Sequence, residues 1–405
     1  MKKDAGRFII IVLDGFGIGA MSDVNEVRPQ DKNANTCFHI FENMPDLRLQ
    51  TLEELGLVNA TGKLPGVMRS SPNALYGTAE LMHYGADTFF GHQEIMGTLP
   101  QKPFGEPFAN KIEKTEEVLS QFGFSTKRHR KGKHDILIVD DCVTVADNIE
   151  SDPGQAFNVT AAIDDIDFER VIEIGKLVRS VSQNPRVISF GGRGVHLPDL
   201  LRAVEEKGDY IGVNAPASGV YNEDYHCVHM GFGVDPKVQA PTILGSAGAP
   251  VFLLGKAADV LSNEYGVSIP LVDTLQVLEK TRELIKENPI GFFCANVQET
   301  DLCGHRENIG EYVRVLKIAD SGIAEIMKIM TEKDILIVMA DHGNDPTIGS
   351  HHTREIVPLL IHTKNKTPAN IGRRRTLSDT TATACEFFGA PPTENGESFL
   401  DLIDF

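Results

Sequence analysis

The chain has 405 residues, 41% of them hydrophobic and 24% charged, a length that suits two domains with a core each and a composition that argues against a disordered chain. Thirty-nine Lys and Arg against 57 Asp and Glu leave a formal charge of −18. That excess speaks against a nucleic-acid partner, because phosphate backbones are bound through basic patches; a small phosphorylated substrate remains compatible where metal ions reverse the local field.

In chain order, "MKKDAGRFIIIVLD" comes first. Its apolar run, Phe8 to Leu13, is shorter than a signal-peptide core and stops at an acid, so export is not expected. No stretch approaches the length of a membrane span, and the six cysteines contain no CxxC pair, which reads as reduced thiols in a cytoplasmic protein. The run "FIIIVL" leads to Asp14, "VFLLG" to Lys256, "GFFCANV" to Gln298 and "ILIVMA" to Asp341 and His342, and "IVPLLIH" follows as a further strand. Apolar runs without alternation are the mark of parallel strands covered on both faces. Between two of them, Tyr312, Leu316, Ala319, Ile323, Met327 and Met330 recur every three or four residues, the stripe of a helix packed on a sheet. The pattern predicts an α/β, doubly wound, mostly parallel core formed by residues 1–100 and 234–405. Residues 101–233 are richer in charge, with "STKRHRKGKHD" and "NIESDPGQ" loop-like and "ERVIEIGKLVRSVSQ" helical; they read as an inserted α+β cap domain.

In such a core ligands bind beyond the carboxyl ends of the strands, where the polar residues ending these runs gather. "MADHGNDPTIGSHHTREIVPLL" puts Asp341 and His342 after one strand and His351 and His352 before another. Carboxylate oxygen and imidazole nitrogen suit manganese, zinc and similar divalent ions. "NVQETDLCGHREN" adds Asp301 and His305, four residues apart, on a helix face or on a loop folding back through Gly304. With Asp14 the candidate ligands number six: Asp14, Asp301, His305, Asp341, His342 and His352. Six exceed the need of one ion with an open position and suit two, which about 4 Å apart clamp a phosphoryl group. The "GFGIG" after Asp14 lacks the spacing and the acid of a dinucleotide fingerprint.

Thr88, in "YGADTFFGHQEIMG", supplies the one hydroxyl between Asp87 and Gly91. Alone it would read as a helix N-cap; beside six ligands it reads as a nucleophile activated by a divalent cation, with the N–H groups of a following helix facing the transferred phosphate.

"FIIIVLDGFGIGAMSD", "DTFFGHQEIMG", "GKAADV", "ADHGNDP" and "HHTREIVPLL" resemble, in that order, the motifs of bacterial phosphopentomutase, a member of the alkaline phosphatase superfamily. The resemblance spans residues 1 to about 100 and about 235 to 405, and the cap only loosely. It implies an alkaline phosphatase-like core, a phosphorylated threonine at Thr88, two manganese ions held by Asp14, Asp341 and His342 and by His305 and His352, and Lys256 near the substrate phosphate. A sugar bisphosphate is implied as activator. Three departures stand out. The usual aspartate five residues before the metal histidine is Thr300 here, with Asp301 one step on, a spacing more like cofactor-independent phosphoglycerate mutase; Asp301 is assigned, with Glu299 in reserve. The usual His-Trp-Glu is His92, Gln93, Glu94. The family's pentose-reading cap segments are missing, and Arg193, His196, Tyr225, His226 and His229 stand where substrate contacts would come.

The reading is a metal-dependent phosphomutase that isomerises a small phosphorylated sugar through phosphothreonine. A two-metal phosphohydrolase or phosphodiesterase and a catalytically silent binding paralogue are the alternatives. Manganese is the metal expected, with zinc and magnesium as the alternatives.

Overall fold

A computed structural model describes residues 5–403, apart from 152 and 366. The chain divides into two compact units, Met1–Pro100 with Asp235–Phe405, and Gln101–Val234.

The first unit is built on an eight-stranded sheet, in the order Val267–Ile269, Val251–Leu254, Gly291–Val297, Arg7–Leu13, Ile335–Met339, Val357–His362, Leu75–Ala79 and Ala369–Arg374. The three strands Gly291–Val297, Arg7–Leu13 and Ile335–Met339 are buried along their whole length. Their unbroken apolar sequences follow from helices on both faces. Arg7 reaches Ile285 O and Ile329 O, carbonyls of helices Thr274–Glu287 and Ile309–Ile329. Phe8 points the other way and packs edge-on against Phe387 of helix Asp379–Phe388, with ring centroids 5.7 Å apart. Successive strand residues serve opposite layers.

Five pairings in this sheet are parallel. Val357–His362 runs against both of its neighbours. That reversal matters for the site. The residues before this strand arrive at the edge where the parallel strands end, so His352 reaches the same edge as Asp14 and Asp341.

The second unit has a six-stranded sheet in the order His226–Gly231, Arg186–Gly192, Ala156–Ala162, Val143–Asp147, His134–Val139 and Thr126–Lys131, with a separate hairpin of Val204–Lys207 and Tyr210–Val213. Helices Ile112–Gln121 and Phe168–Val181 are the longest of this unit, and a cluster around Phe108, Leu119, Phe157, Val171 and Ile174 forms its core. The stretch "STKRHRKGKHD", expected as loop, is largely an edge hairpin: Thr126–Lys131 pairs with His134–Val139. No residue of Thr126–Lys131 is buried, so the strand carries no apolar alternation to read, and its Lys and Arg suit an exposed edge.

All six cysteines are free. Among the described residues no helix is long and apolar enough to cross a membrane.

Candidate active site

Asp14 follows strand Arg7–Leu13, Asp341 and His342 follow Ile335–Met339, and all three are fully buried. Asp301 and His305 lie one turn apart on helix Glu299–His305, so the helical alternative for their spacing is the one realised; Asp301 Oδ2 and His305 Nε2 are 3.3 Å apart. His352 Nε2 is 3.3 Å from Asp301 Oδ1 and 2.9 Å from His305 Nε2. His342 Nε2 is 3.4 Å from Asp14 Oδ1 and 3.3 Å from Asp341 Oδ2. The side chains thus form two groups able to surround a cation, Asp14 with Asp341 and His342, and Asp301 with His342 and His352, and His305 adjoins the second.

Neighbouring carbonyls orient the imidazoles. His342 Nδ1 donates to Gly343 O at 2.9 Å, and His305 Nδ1 to Ser350 O at 3.0 Å. Each ring therefore turns Nε2 toward the carboxylates, as metal-ligating histidines do. His342 Nε2 is buried without a hydrogen-bond partner. Nitrogen facing nitrogen at 2.9 Å, and nitrogen facing carboxylate, call for something positive between them, a proton or a metal ion. The residues present fit divalent metal in both geometry and donor chemistry.

The field agrees. Burial disfavours a charged His342, yet Asp341 and Asp14 beside it push its pKa up to about 10. Burial would raise Asp341, but His342, His92 and Lys256 hold it far below the usual carboxylate range. Asp301 is likewise held well below it, against its burial, by His305 and His352. Lys256 heads helix Lys256–Val260 and places Nζ 3.2 Å from Asp14 Oδ2 and 3.4 Å from Asp301 Oδ2; these acids raise its pKa despite burial.

Thr88 is the first residue of helix Thr88–Ile95, and the N-cap is Asp87, whose side chain accepts from Phe90 N at 3.1 Å. The Thr88 hydroxyl is therefore free of the capping role. It donates to Asp341 Oδ2 at 2.8 Å and lies 3.5 Å from Asp14 Oδ1. Gly91 lets this helix approach so closely: a Cβ there would sit 2.9 Å from Asp341 O. Two buried ionic groups hold the preceding segment. Glu94 accepts from Met82 N, His83 N, His83 Nδ1, Thr376 Oγ1 and Leu377 N. Arg354 pairs with Asp23 and donates to the carbonyls of Leu81, His83 and Gly85.

Other candidates lie elsewhere. Glu299 accepts from Thr274 N at 2.7 Å, and His351 faces Asp31 at 3.4 Å. In the second unit Arg193 bridges Asp164 and Asp224, both at 2.8 Å, and His196 pairs with Asp165 at 2.9 Å. Tyr225 packs against Tyr221, His226 lies 3.2 Å from Asp224, and His229 is exposed on strand His226–Gly231. The sequence reading gave no role to Asn296, Asn344 or His92. Asn296 donates to Asp14 Oδ2 and Asn344 to Asp301 Oδ1, each at 2.8 Å, and His92 Nδ1 is 3.1 Å from Asp341 Oδ2. An amide inside the otherwise apolar run "GFFCANV" was the available signal for Asn296.

An α/β core whose strand ends gather buried acids and imidazoles defines a metalloenzyme, and a family model described as the metalloenzyme superfamily matches residues 6–392. The phosphopentomutase of Acetivibrio thermocellus is 30% identical over 413 residues, covering 98% of this chain and 99% of its own. That of Symbiobacterium thermophilum is 29% identical over 425 residues, covering 98% of each. A solved phosphoglycerate mutase from Leishmania mexicana shows a distant likeness, at 12% identity and a TM-score of 0.44 over 98% of both chains. The chain belongs to the metalloenzyme superfamily and, within it, to the phosphopentomutase family, as a metal-dependent phosphomutase.

Proposed function

We propose that this phosphomutase moves phosphate between two hydroxyls of a pentose phosphate, with Thr88 as the phosphoryl carrier and Asp14, Asp301, His305, Asp341, His342 and His352 as ligands of two divalent ions, manganese the leading choice. The observation that carries this reading is the Thr88 hydroxyl, held 2.8 Å from Asp341 Oδ2 and released from capping by Asp87. One lone pair on His342 Nε2 serves one cation. Given to Asp14 and Asp341, it leaves Asp301, His352 and the adjoining His305 for the second. When bound, such a pair of ions lowers the pKa of a coordinated hydroxyl and neutralises the phosphoryl oxygens.

A substrate hydroxyl attacks the phosphorus carried by Thr88, the Oγ1–P bond breaks, and a bisphosphate forms. After reorientation Thr88 Oγ1 attacks the other phosphate, the sugar O–P bond breaks, and the freed sugar oxygen takes up a proton. No phosphate is lost, and a sugar bisphosphate charges any Thr88 that has lost its phosphate. Asp341 accepts the hydrogen bond of the hydroxyl and so orients it. To Lys256, an ammonium at the edge of the acidic cluster, we assign the binding of substrate phosphate. The inserted unit Gln101–Val234 we take as the cap whose side chains, Arg193 and His196 among them, select the sugar.

The test incubates manganese-reconstituted protein with pentose 1-phosphates and 5-phosphates. Positional isomers and a phosphorylated Thr88 peptide support the reading; inorganic phosphate as the sole product replaces it with a hydrolase.

A further inference from the structure

We propose that Asn296 and His92 are positioning residues: together they form a hydrogen-bonded arc that fixes which oxygens of Asp14 and Asp341 face Thr88. The inference rests on the reading of Thr88 as phosphoryl carrier. Asn296 is the penultimate residue of strand Gly291–Val297 and is fully buried. Its amide nitrogen lies 2.8 Å from Asp14 Oδ2 and 2.7 Å from His92 Nε2. An ionised carboxylate only accepts, so the nitrogen, not the oxygen, must face Asp14, and its second hydrogen goes to His92. His92 Nε2 then accepts, which puts the ring proton on Nδ1, 2.9 Å from Thr88 O and 3.1 Å from Asp341 Oδ2. The arc runs from Asp14 through Asn296 and His92 to Asp341 and closes on both acids that flank the hydroxyl.

Each acid is thereby committed. Asp14 Oδ2 is taken by Asn296 and Lys256, which leaves Oδ1 to face Thr88 and His342. Asp341 Oδ1 is held by Gly15 N at 3.2 Å, and Oδ2 faces Thr88, His92 and His342. His92 is not itself a ligand, since both of its nitrogens are used within the arc, and Asn296 turns toward Asp14 its amide nitrogen, which has no lone pair to give. Asn296 Oδ1 is buried with no partner. A simple core filler would be apolar there, because an unpaired buried acceptor is destabilising; the residue is explained by its two donated bonds.

The experiment compares Asn296→Ala, His92→Asn, His92→Leu and the double variant N296A/H92L. Three quantities are read: manganese affinity by calorimetry without substrate, kcat and KM on a pentose phosphate, and the unfolding midpoint of metal-free protein. N296A and H92L are expected to weaken manganese binding by about 10- to 100-fold, as second-sphere changes do, and to lower kcat with KM nearly unchanged. H92N, whose amide reoccupies the place of Nδ1, should recover part of the loss. N296A/H92L should cost no more than the worse single variant, because the two act in one arc. Wild-type manganese affinity in N296A and H92L, or single losses that multiply in the double variant, would overturn the proposal, as would a lowered midpoint with manganese affinity untouched. A wild-type protein that binds manganese but never isomerises a pentose phosphate counts against the proposed function alone, since the calorimetry needs no substrate.

Discussion

The carboxyl edge of the first unit's sheet and the Arg193 region of the second unit are made of the same residue types in opposite relations. Around Arg193 every base has an acid: Arg193 with Asp164 and Asp224, His196 with Asp165, His226 with Asp224. All of these groups face water. At the sheet edge acceptors face acceptors, with His352 Nε2 against His305 Nε2 and His342 Nε2 against Asp14 and Asp341, and most are buried. The comparison teaches that a count of His and Asp does not mark a metal centre. Burial and unmet lone pairs do, because a desolvated negative cluster is costly until a cation joins it.

The strongest way to break this comparison is to remove the hydroxyl while leaving the acceptors. Thr88→Ala should abolish isomerisation, a loss of about 10⁴-fold or more as for other covalent nucleophiles, while manganese still binds in calorimetry. Retained turnover would remove Thr88 from the chemistry. Next, Asp301→Asn keeps the shape but removes the charge shared by His305 and His352. It should reduce the manganese bound per chain and cut kcat by about 100-fold, the scale of losing one preorganised electrostatic contribution to a transition state, whereas Asp224→Asn should leave metal content unchanged. Equal metal content in the two variants would erase the distinction between the regions.

What the sequence showed of this edge, and what it hid, follows from where the information resides. Asp14, Asp341 and His342 end unbroken apolar runs, so their strand-end position is written locally. His352 is different. It precedes its strand, and only the reversed direction of Val357–His362 brings it to the others, a pairing fact that no local pattern carries. Strands Leu75–Ala79 and Ala369–Arg374 escaped notice because they are short and mixed in polarity, and the second slips in register between Asn370 and Arg373. The helix after Gln298 was left open by Gly304, which suits a loop as well as a helix. No local pattern marks Arg354 and Glu94, which lock the segment before Thr88, as buried. Their burial is set by contacts more than 250 residues distant for Arg354 and nearly 300 for the Thr376 partner of Glu94.

A smaller effect is expected where the buried charge is met by donors. Burial raises the Glu94 carboxyl, but His83, Met82 N and Thr376 outweigh it and hold the pKa below the ordinary 4.5. A depressed folded-state pKa contributes stability that is fully present above the unfolded value and is lost as pH falls through the folded one. Glu94→Gln should therefore destabilise the protein by about 3 kcal/mol near pH 7, the scale of breaking a buried pair. The gap between variant and wild type should narrow below pH 4.5 in urea unfolding. A gap independent of pH would mean that Glu94 acts through packing and not through charge.

The smallest effect belongs to the other side of the comparison. The Arg193 guanidinium is exposed and already shared by two carboxylates, so an anionic ligand meets it with its charge largely spent. Water and salt replace such pairs readily. Arg193→Ala should leave the unfolding midpoint and kcat unmoved and raise KM for the phosphosugar by less than about tenfold, the pattern of lost uniform binding. His196→Ala should follow it, since Asp165 already holds the His196 Nδ1. A fall in kcat as deep as that of Asp301→Asn would place Arg193 against the transferring phosphate, and mutual satisfaction by neighbouring acids would then no longer separate a solvated charge cluster from a reactive one.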